Sequence, residues 1–211
     1  MTRRSTTAWR VTAAALALAA AACLIIWSDR SAPAESSEPT VAATTATGPT
    51  TPGATTAPAP LPQPVRLTVP GIGLTTRLTE LGLQPDGTVE VPKDPDLAGW
   101  YHLGPPPGAH GPAVILGHVD SVDGPAVFAR LSELGPGDRV RVALDDGSSV
   151  TFVVHSVRTY ANADFPARQV YGGHGRRELN LVTCGGAYDA DRGGYQANVV
   201  VNARWVSGTR S

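Results

Sequence analysis

The chain has 211 residues, of which 42% are hydrophobic, a formal net charge of -1 and two cysteines. Its length suits one globular domain with appendages. The near-neutral balance, with no run of like charges after the N-terminus, lacks the electrostatic footprint of a nucleic-acid-binding protein. With 23 glycines and 19 prolines, the sequence favours short strands and turns over long helices.

Residues 1–30 read as a membrane anchor. Arg3, Arg4 and Arg10 precede an apolar run from Val11 to Trp27 in which Thr12 is the only clearly polar side chain. At about 1.5 Å per residue that run is just long enough to cross a bilayer. The arginines before it orient the N-terminus toward the cytoplasm and whatever follows to the outer side. A second reading takes Ala32-Pro33-Ala34 as a signal-peptidase site that would release a chain beginning at Glu35. Lipidation of Cys23 is disfavoured, because the apolar run continues through Leu24, Ile25 and Ile26.

Residues 31–63 are a low-complexity stretch of Pro, Ala, Thr, Ser and Gly. Such a stretch has too little apolar surface to offset its ordering entropy, so it reads as a disordered tether. Residues 64–207 then form the folded domain, expected to stand above the outer face of a cell membrane.

Within that domain short β segments alternate with turn signals. Val65 to Val69 and Thr75 to Leu83 flank a Gly-x-Gly, and Thr88-Val-Glu-Val follows a Pro-Asp-Gly turn. Pro112-Ala-Val-Ile-Leu suits a strand buried on both faces. Arg139 to Leu144 and Ser149 to Val154 flank Asp145-Asp-Gly, a hairpin signal. Leu179 to Thr183 and Asn198 to Val206 supply the last two strands. Helical patterns are short: Pro95 to Tyr101, Val127 to Leu134 and Asp164 to Val170. About eight closely spaced strands with minor helices predict a mainly β fold, a closed or nearly closed barrel.

Cys184 ends the run Glu178-Leu-Asn-Leu-Val-Thr-Cys, against Gly185-Gly186, while Cys23 lies in the N-terminal apolar segment. A disulfide between the two is an unpromising reading, which leaves Cys184 as a candidate reactive group. Buried cysteine is the competing reading, since the residue is commonly a small core hydrophobe. A reactive thiol needs a base or cation nearby, because a free cysteine ionises only at about pH 8.5 and is mostly thiol at neutral pH. Of five histidines, His118 stands out: it closes Ala113-Val-Ile-Leu-Gly-His at the mouth of a buried strand. Scaffold-held positions of this kind usually carry catalytic groups.

Three segments together resemble the sortases, the cysteine transpeptidases of Gram-positive cell surfaces. Leu181-Val-Thr-Cys184 is similar to the family's cysteine signature, and Ile115-Leu-Gly-His118, 66 residues earlier, to its histidine segment. The tail Gly193-Gly-Tyr-Gln-Ala-Asn-Val-Val-Val is similar to the last strand of actinobacterial members, particularly class F. Two departures stand out. Asn180 occupies the place of the signature's first threonine, and Gln196-Ala197-Asn198 stands where the best-known members carry an arginine.

The resemblance implies an eight-stranded sortase barrel and a site of His118, Cys184 and an arginine. Arg192, eight residues past Cys184, is the nearest candidate, with Arg204 as runner-up. It further implies attack by Cys184 between Thr and Gly of a Leu-Pro-x-Thr-Gly-type sorting signal, and transfer of the acyl group to an amine of peptidoglycan or a pilin. Thr183 is expected to help position the substrate. No cofactor or metal is expected: Asp189 and Asp191 match a calcium loop only in part, and no phosphate loop, dinucleotide fingerprint or zinc spacing occurs. A tethered cysteine hydrolase and a non-enzymatic, wall-binding barrel are the alternatives.

Overall fold

A computed structural model describes residues 61–209. The expected anchor, and all but the last three residues of the expected tether, lie outside them. Among the described residues no helix is long and apolar enough to cross a membrane.

Ten strands form. The first two, β1 (Pro64–Val69) and β2 (Leu74–Leu81), pair antiparallel around a turn closed by Gly73, whose φ of 67° suits a residue without a Cβ. A crossover leads to β3 (Ala98–Tyr101), parallel to β2, and β4 (Gly111–Leu116) returns antiparallel. A small ribbon, β5 (Asp120–Ser121) with β6 (Gly124–Pro125), follows. The hairpin of β7 (Arg139–Leu144) and β8 (Ser149–Ala161) forms around Asp145-Asp146-Gly147 as the sequence indicates. One helical turn, α1 (Ala167–Val170), precedes the long pair β9 (Arg177–Asp189) and β10 (Gly194–Thr209). The strands close in the order β1-β2-β3-β4-β9-β10-β8-β7.

Some of the expected elements differ. Residues 95–101, with a helical pattern, yield β3 from Ala98 onward. There the buried Ala98, Gly99 and Trp100 are wedged between β2 and β4, and pairing on both sides outweighs local preference. Gly99 permits this because an added Cβ would stand 2.4 Å from the Leu81 side chain. Thr88-Val-Glu-Val gives only a bridge between Val89 and Leu83 rather than a strand. The pattern at 127–134 condenses to a short 3-10 turn, Leu131–Glu133.

Alternation divides β4, β9 and β10 between two apolar clusters. Ala113, Ile115, Leu179, Leu181, Val201 and Ala203 join the barrel interior with Phe128 and Phe152. Val114, Leu116, Val182 and Val200 face outward into a second cluster with Leu81 and Val170. The helical turn α1 thus covers the middle of an otherwise exposed wall. Asn180, 2% exposed, fastens it: its Nδ2 donates to the Val170 carbonyl at 2.8 Å, and its Oδ1 accepts from Asn202 at 2.9 Å. The residue that departs from the signature's threonine therefore has a structural use here.

Candidate active site

The register of the wall brings the two principal candidates to one end of it. Parallel pairing sets Val114 opposite Asn180 and Leu116 opposite Val182, and Gly117 N–H continues it to the Val182 carbonyl at 3.2 Å. His118 lies two residues past the end of β4, and Cys184 two residues past Val182 on β9, so both leave this last pair toward the same end of the wall. Across the antiparallel pair Cys184 faces Asn198, and Asn198 faces Tyr160 on β8. One row therefore crosses three strands on the outward face, above the second apolar cluster, with His118 emerging from the end of β4 beside it. Cys184 is exposed rather than a buried core thiol.

His118 is half-buried, and its Nε2 lies 2.7 Å from the Pro92 carbonyl oxygen. A carbonyl only accepts, so a neutral ring carries its proton on Nε2 and keeps Nδ1 for proton exchange. The backbone beneath is pressed against the next segment. Phe128 N–H donates to the His118 carbonyl at 2.8 Å, and a Cβ on Gly117 would come 2.7 Å from Val127 and Phe128.

The two glycines after Cys184 are required by the path of the hairpin. A Cβ on Gly185 would meet Val199 at 2.8 Å. Gly186, with φ 75°, would meet Ala197 at 2.9 Å, next to a register shift between Tyr195 and Ala197. Such a bulge re-aims side chains at a strand end. Thr183, one residue before the thiol, points to the opposite, interior face. It is 4% exposed, and its Oγ1 has no hydrogen-bond partner among the described residues.

The arginines lie apart. Arg192 ends the 3-10 turn Ala190–Arg192 at the tip of the β9–β10 hairpin, exposed, beyond the end of β9 at Asp189. Its carbonyl accepts from Gln196 Nε2 at 3.4 Å, and the Asp189 carboxylate caps the turn through Asp191 N–H at 3.1 Å. Among the described residues its guanidinium makes no ion pair. Arg204 pairs with Glu178, six residues down the strand from Asn198. At about 3.3 Å per residue that is roughly 20 Å from the thiol. Its Nη2 lies 2.9 Å from His155 Nε2, beside a cavity of about 310 Å³ lined also by His110, Arg176, Arg177 and Trp205.

Sequence reasoning does not single out three further groups. The Pro92 carbonyl comes from a distant loop and leaves no trace in local pattern. Asn198 donates through Nδ2 to Asn162 Oδ1 at 2.9 Å. Tyr195 O–H donates to the Asp120 carboxylate at 2.5 Å. That bond pushes the phenol up to about 12, helped by burial and by the negative charges of Asp120, Cys184 and Tyr188. The signal for the last pair is present, in His118-Val-Asp120 and Gly193-Gly-Tyr195, but only the fold shows that they meet.

Comparison with known proteins places the fold. Residues 67–206 match the sortase domain family, and the chain belongs to it. Its fold is similar to that of Listeria monocytogenes sortase A, at 12% identity and TM-score 0.54, over 70% of this chain and 89% of that one. Sortase A of Corynebacterium diphtheriae is similar at 16% identity and TM-score 0.54, over 71% and 63%. Sortase C1 of pilus island 1 of GBS is similar at 15% identity and TM-score 0.51, over 68% and 65%. The chain thus spans about two thirds or less of the length of the last two. No curated protein matches the sequence.

Proposed function

We propose that the chain is a cysteine transpeptidase in which Cys184 is the nucleophile and His118 the proton carrier. What supports this reading is that His118 and an exposed Cys184 each follow, by two residues, the last pair of the adjoining strands β4 and β9, Leu116 with Val182. The Cys184 sulfur attacks the Thr carbonyl carbon of a Leu-Pro-x-Thr-Gly-type signal, forming a C–S bond and an oxyanion. As the C–N bond to Gly breaks, imidazolium His118 protonates the departing amine. An incoming amine then attacks the thioester and gives its proton to His118. The new C–N bond forms, and the sulfur leaves as thiolate.

Arg192 is our candidate for the cation that steadies the oxyanion, reached by the hairpin folding back over the row; a planar guanidinium suits that charge. Thr183 acts from inside the wall, setting the strand under Cys184 rather than touching substrate with its hydroxyl. The amine belongs to a peptidoglycan cross-bridge or to a pilin lysine. The Gly-Gly-Tyr…Asn-Val-Val-Val tail supports an actinobacterial class F member. The apolar segment within residues 1–30 supports a single-pass anchor, with the barrel outside the cell membrane on the 31–63 tether.

The test is incubation of the full chain with a sorting-signal peptide and an amine, read by mass spectrometry. Transfer product, absent with Cys184→Ala, is expected. Hydrolysis without transfer would assign a cysteine hydrolase, and no turnover a binding role. Fractionation of cells tests the anchor, and a released chain beginning at Glu35 would overturn it.

A further inference from the structure

Three segments meet at Tyr195. Its phenol donates to Asp120, two residues past His118; its carbonyl accepts from Asn162 Nδ2 at 2.8 Å; and its own backbone belongs to the hairpin that follows Cys184. The ring packs edge-on against Tyr188 of the facing strand, centroids 5.2 Å apart. Backbone pairing between the histidine and cysteine segments ends at Gly117 and Val182. Beyond it, the Tyr195–Asp120 bond ties the two segments together again, past the catalytic row and on its far side.

We propose that the Tyr195–Asp120 hydrogen bond is a positioning latch that holds the His118 segment against the Cys184 hairpin. The proposal rests on the transpeptidase reading for its catalytic consequence, though not for its geometry. Proton transfer between His118 and the leaving or entering amine needs a fixed separation from the carbon bonded to Cys184, and a misplacement of about 1 Å can cost on the order of 100-fold in rate. A phenol with its pKa pushed up to about 12 stays a donor throughout the working range of an enzyme. Tyr195 and Asp120 are therefore positioning residues that act through His118.

The experiment uses the full chain and two readouts, one of which needs no substrate. Tyr195→Phe keeps the ring against Tyr188 and removes only the hydroxyl. It is expected to lower kcat for amine transfer by about 10- to 100-fold with KM within about threefold, and to move the pH profile of Cys184 alkylation by iodoacetamide upward. In a His118→Ala background Tyr195→Phe should move that profile no further. Asp120→Ala should match the loss in kcat, and Asp120→Asn, which retains a carbonyl acceptor, should recover most of it. The double variant should be no slower than either single one. A Tyr195→Phe enzyme with wild-type kcat and wild-type alkylation overturns the latch, as does an equal alkylation shift with and without His118. If the wild type transfers nothing while Tyr195→Phe still shifts alkylation through His118, the transpeptidase reading falls and the latch stands.

Discussion

The β9–β10 ribbon has two ends on one outward face, six residues apart, and they are built differently. At the Glu178–Arg204 end the polar side chains bond to one another across the strands. Asn202 donates to the Glu178 carboxylate at 3.1 Å, His174 stands 3.5 Å from that carboxylate, and Arg204 rests on His155. Arg177 stacks on Trp205, 5.2 Å from the ring centroid. At the Cys184 end the side chains are held from outside the ribbon: His118 by Pro92, Asn198 by Asn162, Tyr195 by Asp120. An end whose polar side chains are already engaged with one another makes a wall. One whose row is oriented by surrounding loops keeps a face on which a substrate can be set.

The contrast breaks most sharply at the thiol. Cys184→Ala should abolish peptide cleavage and transfer while thermal melting stays near that of the wild type. His118→Ala should lower kcat by several orders of magnitude, whereas His155→Ala and His174→Ala, at the other end, should leave it nearly unchanged in the same assay. Arg192→Ala should lower kcat about 100-fold or more if its guanidinium meets the oxyanion, and Arg192→Lys, which keeps charge but loses the fork, should stay impaired. Arg204→Ala should turn over normally. The reverse pattern would move the cation to the other end of the ribbon and unseat the contrast.

A smaller effect separates the two faces of the wall. Leu181→Ala, fully buried inside, should destabilise by about 2–5 kcal/mol in denaturant unfolding, yet leave kcat per folded molecule close to wild type. The smallest effect concerns Tyr195. Its folded pKa, about 12, lies above the ordinary 10.0, so the protonated phenol favours the native state. That contribution is complete below about pH 10 and is lost as pH rises through about 12. Tyr195→Phe should remove this part of the alkaline fall in stability, measured by melting across that window.

Much of this is legible in the residues. Alternation and turn chemistry mark β1, β2, β4, β7, β8, β9 and β10, and Asp145-Asp-Gly marks the β7–β8 hairpin. Cys184 and His118 can be singled out because each ends an apolar run. β3 carries a helical pattern because its pattern is local while its reason, insertion between β2 and β4, is not. The same limit applies at the site. Asn198, Tyr195 and the Pro92 carbonyl have meaning only through register and loop packing. Arg192 stands out in sequence by its closeness to Cys184, and the hairpin puts it at the tip.

The Cys184 row, with His118 beside it, stands on the outside of a closed wall whose inside is packed separately. Drift in one compartment is therefore largely invisible to the other. A lineage could exchange interior side chains for others of similar volume, or remodel the loops around the row, without the two histories constraining each other. Relatives at 12–16% identity that keep the same barrel are what such an uncoupled architecture would leave behind.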